Sequence, residues 1–112
     1  MDYILIKNGK NHYKILLSDI SHIESSNKKV IIYISDKDNG GGMIECYQKI
    51  SDIEEKLGAT FFRCHRCYIA NMKYIVSYNS STVKMKNDKE IPLAQKKYSQ
   101  FVKAFSMFST SA

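Results

Sequence analysis

The chain has 112 residues, 44% hydrophobic and 25% charged, with 17 Lys and Arg against 11 Asp and Glu for a formal charge of +6. That size suits one domain spanning 1–112 with one core; the apolar content excludes a wholly disordered chain, and the positive excess suits a polyanionic partner. No stretch reaches the roughly 18 apolar residues of a membrane-crossing helix, the start Met1-Asp2-Tyr3 lacks a signal-like flank, and three cysteines argue against a disulfide scaffold, so a reduced, cytoplasmic protein is expected.

The first predicted elements are two strands, Tyr3 to Ile6 and Tyr13 to Leu17, joined at an Asn8-Gly9 turn. Ile20 to Glu24 alternates apolar with polar residues, and Val30 to Ile34 is β-branched and aromatic; between them lies a polar, basic tip at Ser25 to Lys29. Asp36 to Gly42 reads as a flexible loop and Met43 to Tyr47 as a returning strand. Ser51-Asp52-Ile53-Glu54 matches a capping box, so a two-turn helix is expected near 51–57, ended by Gly58. Strands follow at Phe61 to Tyr68, Ile75 to Tyr78, Thr82 to Lys86 and Ile91 to Leu93, spaced like a β-meander. From Lys96 the period changes: Tyr98, Phe101, Val102, Phe105 and Phe108 make a helical stripe, so a C-terminal amphipathic helix is expected near 96–108. The fold class is therefore mainly β, with short antiparallel strands and two small helices.

Basic residues interrupt this pattern at loop positions: Asn27-Lys28-Lys29, Arg63 with His65-Arg66, Lys73, and Gln95-Lys96-Lys97. Lys and Arg neutralise phosphates, and Arg, Lys, Asn and Gln pair with base edges in the major groove, so these residue types suit duplex DNA. The alternative is that the same loops dock an acidic protein in a signalling module. Loop lysines that only maintain solubility would give the same composition.

Cys64-His65-Arg66-Cys67 has the spacing of a redox or metal pair, but no second Cys or His pair follows at zinc spacing. In a strand, residues i and i+3 face opposite sides, and a buried cysteine acting as a small hydrophobe is the expected role of Cys64. Gly40-Gly41-Gly42 lacks the Lys-Ser/Thr of a phosphate loop, and His12, His22 and His65 are scattered, so no enzyme, metal or cofactor is expected. His22 alternates with Ile20 and Ile23 and is expected to be solvated or half-buried, whereas Phe61, Phe62, Phe101 and Phe105 are assigned to core packing.

The order Ile20-Ser21-His22-Ile23-Glu24-Ser25, a short helix, Phe61-Phe62-Arg63-Cys64-His65-Arg66-Cys67-Tyr68-Ile69-Ala70-Asn71, then Ile91-Pro92-Leu93-Ala94 resembles the LytTR family of bacterial response regulators over about residues 3 to 105. The resemblance implies a fold of short antiparallel sheets whose loops enter successive major grooves. It also implies two copies on tandem direct repeats, with self-association on the DNA. Carried over by position, it places contacts at Asn27, Lys28 and Lys29, then at Arg63, His65 and Arg66 with Asn71 holding the turn, then at Gln95, Lys96 and Lys97. Cys67, Ala94 and Gln95 depart from the family's usual Ser, Ser and Arg, which removes two hydroxyls and one guanidinium from the expected contacts.

Overall fold

The computed structural model describes residues 2–35 and 41–111. Strands β1 (Tyr3–Asn8) and β2 (Asn11–Leu16) form the predicted hairpin, with Asn8 opposite Asn11 and Gly9 in the left-handed region at φ +63. Strands β3 (Ile20–Ser26), β4 (Lys29–Ile34), β5 (Gly42–Cys46), β6 (Phe61–His65) and β7 (Tyr68–Asn71) make one antiparallel sheet in the order β5-β4-β3-β7-β6. Strands β8 (Ile75–Tyr78), β9 (Thr82–Met85) and β10 (Glu90–Pro92) form a separate three-stranded meander. Of the loop expected over Asp36 to Gly42, residues 36–40 lie outside the described residues, and Gly42 opens β5.

Two of the expected secondary-structure elements differ in the structure. The segment Phe61 to Tyr68 is not one strand: it turns at Arg66-Cys67, and β6 folds back on β7 with Phe61 opposite Asn71. The register shifts between Arg63 and His65, a bulge at Cys64 that bends the strand into the turn. The capping box also does not form. Helix α1 runs Ile50–Glu54 with Lys49 at its N-cap and no side-chain cap bond. Burial of Ile50 beside Ile53 and Leu57 draws the chain into the helix before Ser51 can cap it. Its second turn is tight, with Lys56 N–H donating to Ile53 O at 2.9 Å and Leu57 N–H to Glu54 O at 3.1 Å, and Gly58 ends it at φ +120.

The single core expected from the chain's size is two: Ile69 and Ala70 are successive residues of β7, so they face opposite sides of the large sheet, and each belongs to a different core. On the Ile69 side, Ile23, Val30 and Ile32 pack against Ile4, Ile6 and Ile15 of the hairpin and against Ile50, Ile53 and Leu57. On the Ala70 side, Cys64 packs with Val83, Met85 and Ile91 of the meander and with Phe101. Phe101 lies on α2 (Tyr98–Ser111), the expected terminal helix, which starts after a 3-10 turn over Gln95–Lys97. Its ring meets Phe62 edge-on at 5.3 Å and stacks with Phe105 at 5.6 Å. Among the described residues, no helix is long and apolar enough to cross a membrane.

His22 is not solvated or half-buried as expected; it is 1% exposed. A register shift between Ile20 and His22 turns its ring inward, where it stacks on Tyr33 at 4.3 Å. Ser21 Oγ lies 3.2 Å from Nδ1, and Nε2 is buried without a partner among the described residues. Burial, reinforced by the charge of Lys89, lowers the imidazole pKa to about 4.

Candidate nucleic-acid interface

The register of the large sheet brings two basic turns to one end. β3 reverses into β4 at Asn27-Lys28, and β7 leaves the second turn at Tyr68, paired with Glu24 near the end of β3. Ser25 N–H donates to Cys67 O at 2.8 Å, tying the first hairpin tip to the second. Ala94 N–H donates to Cys64 O at 2.8 Å and anchors the Gln95–Lys97 turn just below the second tip. Two backbone hydrogen bonds thus align three segments that are 27 to 97 in the sequence along one edge of the molecule. At about 4.8 Å per strand, the centres of the two hairpin tips lie roughly 10 Å apart, the rise of about three base pairs.

In the first turn both Asn27 (φ +48) and Lys28 (φ +66) are left-handed, the pattern of a two-residue I′ hairpin that matches strand twist. Both side chains are exposed. Lys29 differs: it is half-buried and its ammonium lies 2.9 Å from Glu45 of β5, whose hydrogen bond and charge raise its pKa.

The second turn is braced from within. The Arg63 guanidinium donates to Glu54 Oε1 at 2.7 Å, to His65 O at 3.2 Å, and to Arg66 O. One rigid fork therefore holds both carbonyls of the turn and links them to α1. Arg63 is a positioning residue, with its donors taken up by Glu54 and by the two turn carbonyls. His65 Nδ1 accepts from Cys67 N–H at 3.1 Å, and its ring meets Tyr68 edge-on at 5.9 Å. The other ring nitrogen is then the donor in the neutral imidazole. Arg66 is exposed, and among the described residues its side chain has no hydrogen bond or ion pair.

Asn71, grouped with the contacts on sequence grounds, is 2% exposed and offers no surface to a ligand. Its Nδ2 donates to Ile20 O at 2.9 Å and Leu17 O at 3.4 Å, and its Oδ1 accepts from Lys73 N–H at 3.0 Å. It stands at the opposite end of β7 from the Arg66 turn and stitches the start of β3 to the 3-10 turn at Met72–Tyr74. Lys73 sits on that turn, exposed and 5.4 Å from the Tyr74 ring, so it lies away from the three aligned loops. In the third loop Gln95 and Lys96 are exposed, whereas Lys97 is half-buried, with its charge felt by Cys64.

The cysteine pair is asymmetric. Burial pushes the Cys64 thiol up to about 12, opposed weakly by a hydrogen bond from the Ala70 backbone and by Lys97. Cys67 is half-buried on the turn, and both are free. Among the described residues, no three His, Cys, Asp or Glu side chains gather to hold a metal. Sequence reasoning missed Glu54, which looked like half of a capping box and instead anchors Arg63. The Tyr47-Gln48-Lys49 connection, which carries no sequence motif, lies beside Lys28.

The chain matches the family model described as the LytTr DNA-binding domain over residues 10–106. Among solved structures it is similar to a chain described as the LytTr DNA-binding domain of a methyl-accepting/DNA response regulator from Bacillus cereus. The TM-score is 0.72 at 19% identity, covering 94% of this chain and 96% of that one. At that identity the likeness establishes the fold. No curated protein sequence matches.

Proposed function

Because the chain belongs to the LytTR family of DNA-binding domains, we propose that residues 1–112 form a single domain reading a specific duplex sequence through three aligned basic loops. Double-stranded DNA binding in transcriptional regulation is the family's function. The finer reading is that the loops enter successive major grooves of a direct-repeat site, with copies associating on the DNA. Lys28, Arg66 and Lys96 are the principal contacts, since each is exposed in an aligned loop and none has an ion-pair partner among the described residues. Gln95 and Asn27 are the adjacent polar groups, while Arg63, His65 and Asn71 hold shape. The observation that carries this reading is the pair of backbone bonds from Ser25 and Ala94, which places the loops side by side.

The test is selection of sites from a random duplex pool, followed by binding of the winner and a scrambled duplex at two salt concentrations. Neutralising about six phosphates costs roughly a thousandfold in affinity between 50 and 200 mM salt. Arg66→Ala then costs about 1 to 3 kcal/mol on the selected site and less on the scramble. An equal loss on both makes Arg66 a phosphate clamp. No enrichment, a flat salt response and tight binding to an acidic protein would replace DNA with a protein partner.

A further inference from the structure

The end of the sheet that carries the three loops continues on the far side of the first turn. Val30, just past the Asn27-Lys28 turn, pairs with Cys46 at the end of β5, so Tyr47, Gln48 and Lys49 leave the sheet level with that turn. α1 then crosses the Ile69 face toward β6, where Glu54 reaches Arg63. Between this connection and the first turn lies a cleft of about 700 Å³, large enough for a sugar-phosphate unit. Lys28, Lys49, Ser25 and Ser51 line it together with Tyr47, which is 75% exposed. Ser51 is free to serve here because its expected capping bond does not form. The opposing charge in the lining is Asp52.

We propose that this cleft is a fourth DNA contact, seating a backbone phosphate flanking the bases under the Asn27-Lys28 turn. This inference rests on the DNA-binding reading above. It extends the contact surface past the Asn27-Lys28 turn to the end of β5, on the side away from the Arg66 turn. Two ammonium groups and two hydroxyls supply donors for phosphate oxygens and no base-specific pattern, so the cleft adds affinity and register without adding sequence preference. Asp52 faces the same space and weakens the contact.

The experiment compares Lys49→Gln, Asp52→Asn and Lys73→Gln with the wild type on the selected and scrambled duplexes over a salt series. Lys73, at the opposite end of β7, is the charge-matched control. Lys49 and Asp52 are exposed, and unchanged thermal unfolding shows that the fold is kept. One lost phosphate contact lowers the salt slope by about 0.9 and affinity by roughly eightfold near 0.1 M salt, equally on both duplexes. Asp52→Asn tightens both by about two- to threefold, and Lys73→Gln changes neither. If the wild type binds DNA with a steep salt dependence but Lys49→Gln matches it, the cleft is overturned and the three-loop reading stands. If the wild type shows no salt-dependent binding, both fail.

Discussion

Lys28 offers a test in which stability and binding move in opposite directions. It is a β-unbranched residue with a Cβ held at φ +66, next to Asn27 at φ +48. Asn tolerates the left-handed region, but for an ordinary L-residue the conformation costs about 1 to 2 kcal/mol. Replacing Lys28 with Gly removes that strain and creates the Asn-Gly pair favoured in I′ turns. The added freedom of Gly in the unfolded chain returns roughly 0.5 to 1 kcal/mol. The net expectation for Lys28→Gly is about 0.5 to 1 kcal/mol of stabilisation, a rise in Tm of roughly 2 to 4 °C for a domain of this size. The same change removes an exposed ammonium from the reading tip, lowering the DNA salt slope by about 0.9 and affinity roughly eightfold near 0.1 M salt. Urea unfolding and duplex titration on the same preparations give both numbers. A less stable Lys28→Gly protein would refute the strain argument, and a more stable one with unchanged DNA affinity would remove Lys28 from the interface. The combination expected here is backbone strain retained at a functional site.

Asn71→Ala leaves the Ile20 carbonyl and the Lys73 amide without their partner; it should cost about 2 to 4 kcal/mol of unfolding free energy in denaturant titration, without altering DNA affinity once folded. His22, with a folded pKa near 4 against an ordinary 6.5, is neutral in the native state, so its stabilising effect is complete above about pH 6.5 and is lost as pH falls toward 4. Thermal unfolding across that range should show a loss on the order of 3 kcal/mol that His22→Gln abolishes; a slope unchanged in the variant would assign the effect elsewhere. Of three cysteines, Cys46 and Cys64 are buried and Cys67 half-buried, so a thiol reagent should label one site rapidly in the native protein. Cys67→Ser should remove that fast phase, leaving the other two to react on unfolding.

Much of the fold was legible from period and turn chemistry alone. Gly9, the alternation through Ile20 to Glu24, the β-branched run from Val30 to Ile34 and the stripe from Tyr98 to Phe108 each report a local requirement that the backbone must meet. The failures also have local causes. Ser51 and Glu54 have the right spacing for a cap, yet burying Ile50 outweighs one exposed hydrogen bond, and Glu54 gains a charged partner on β6. The turn at Arg66-Cys67 has no Gly, Asn or Pro, so it was hidden inside an apparent strand; it is made by side chains, the Arg63 fork and the His65 ring nitrogen.

By itself the sequence determined the family, the mainly β character and the four groups of basic residues, because these depend on residue type and spacing. Which of those residues face outward was decided only by the tertiary structure. Arg63 and Arg66 are three residues apart and chemically identical, but one is consumed by two carbonyls and a carboxylate while the other remains exposed. Lys28 and Lys29 are adjacent, and only the second finds Glu45, because strand pairing brings β5 alongside β4. The alignment of the three loops likewise comes from strand order and two long-range backbone bonds. Such contacts join residues far apart in the chain, and no local pattern encodes them.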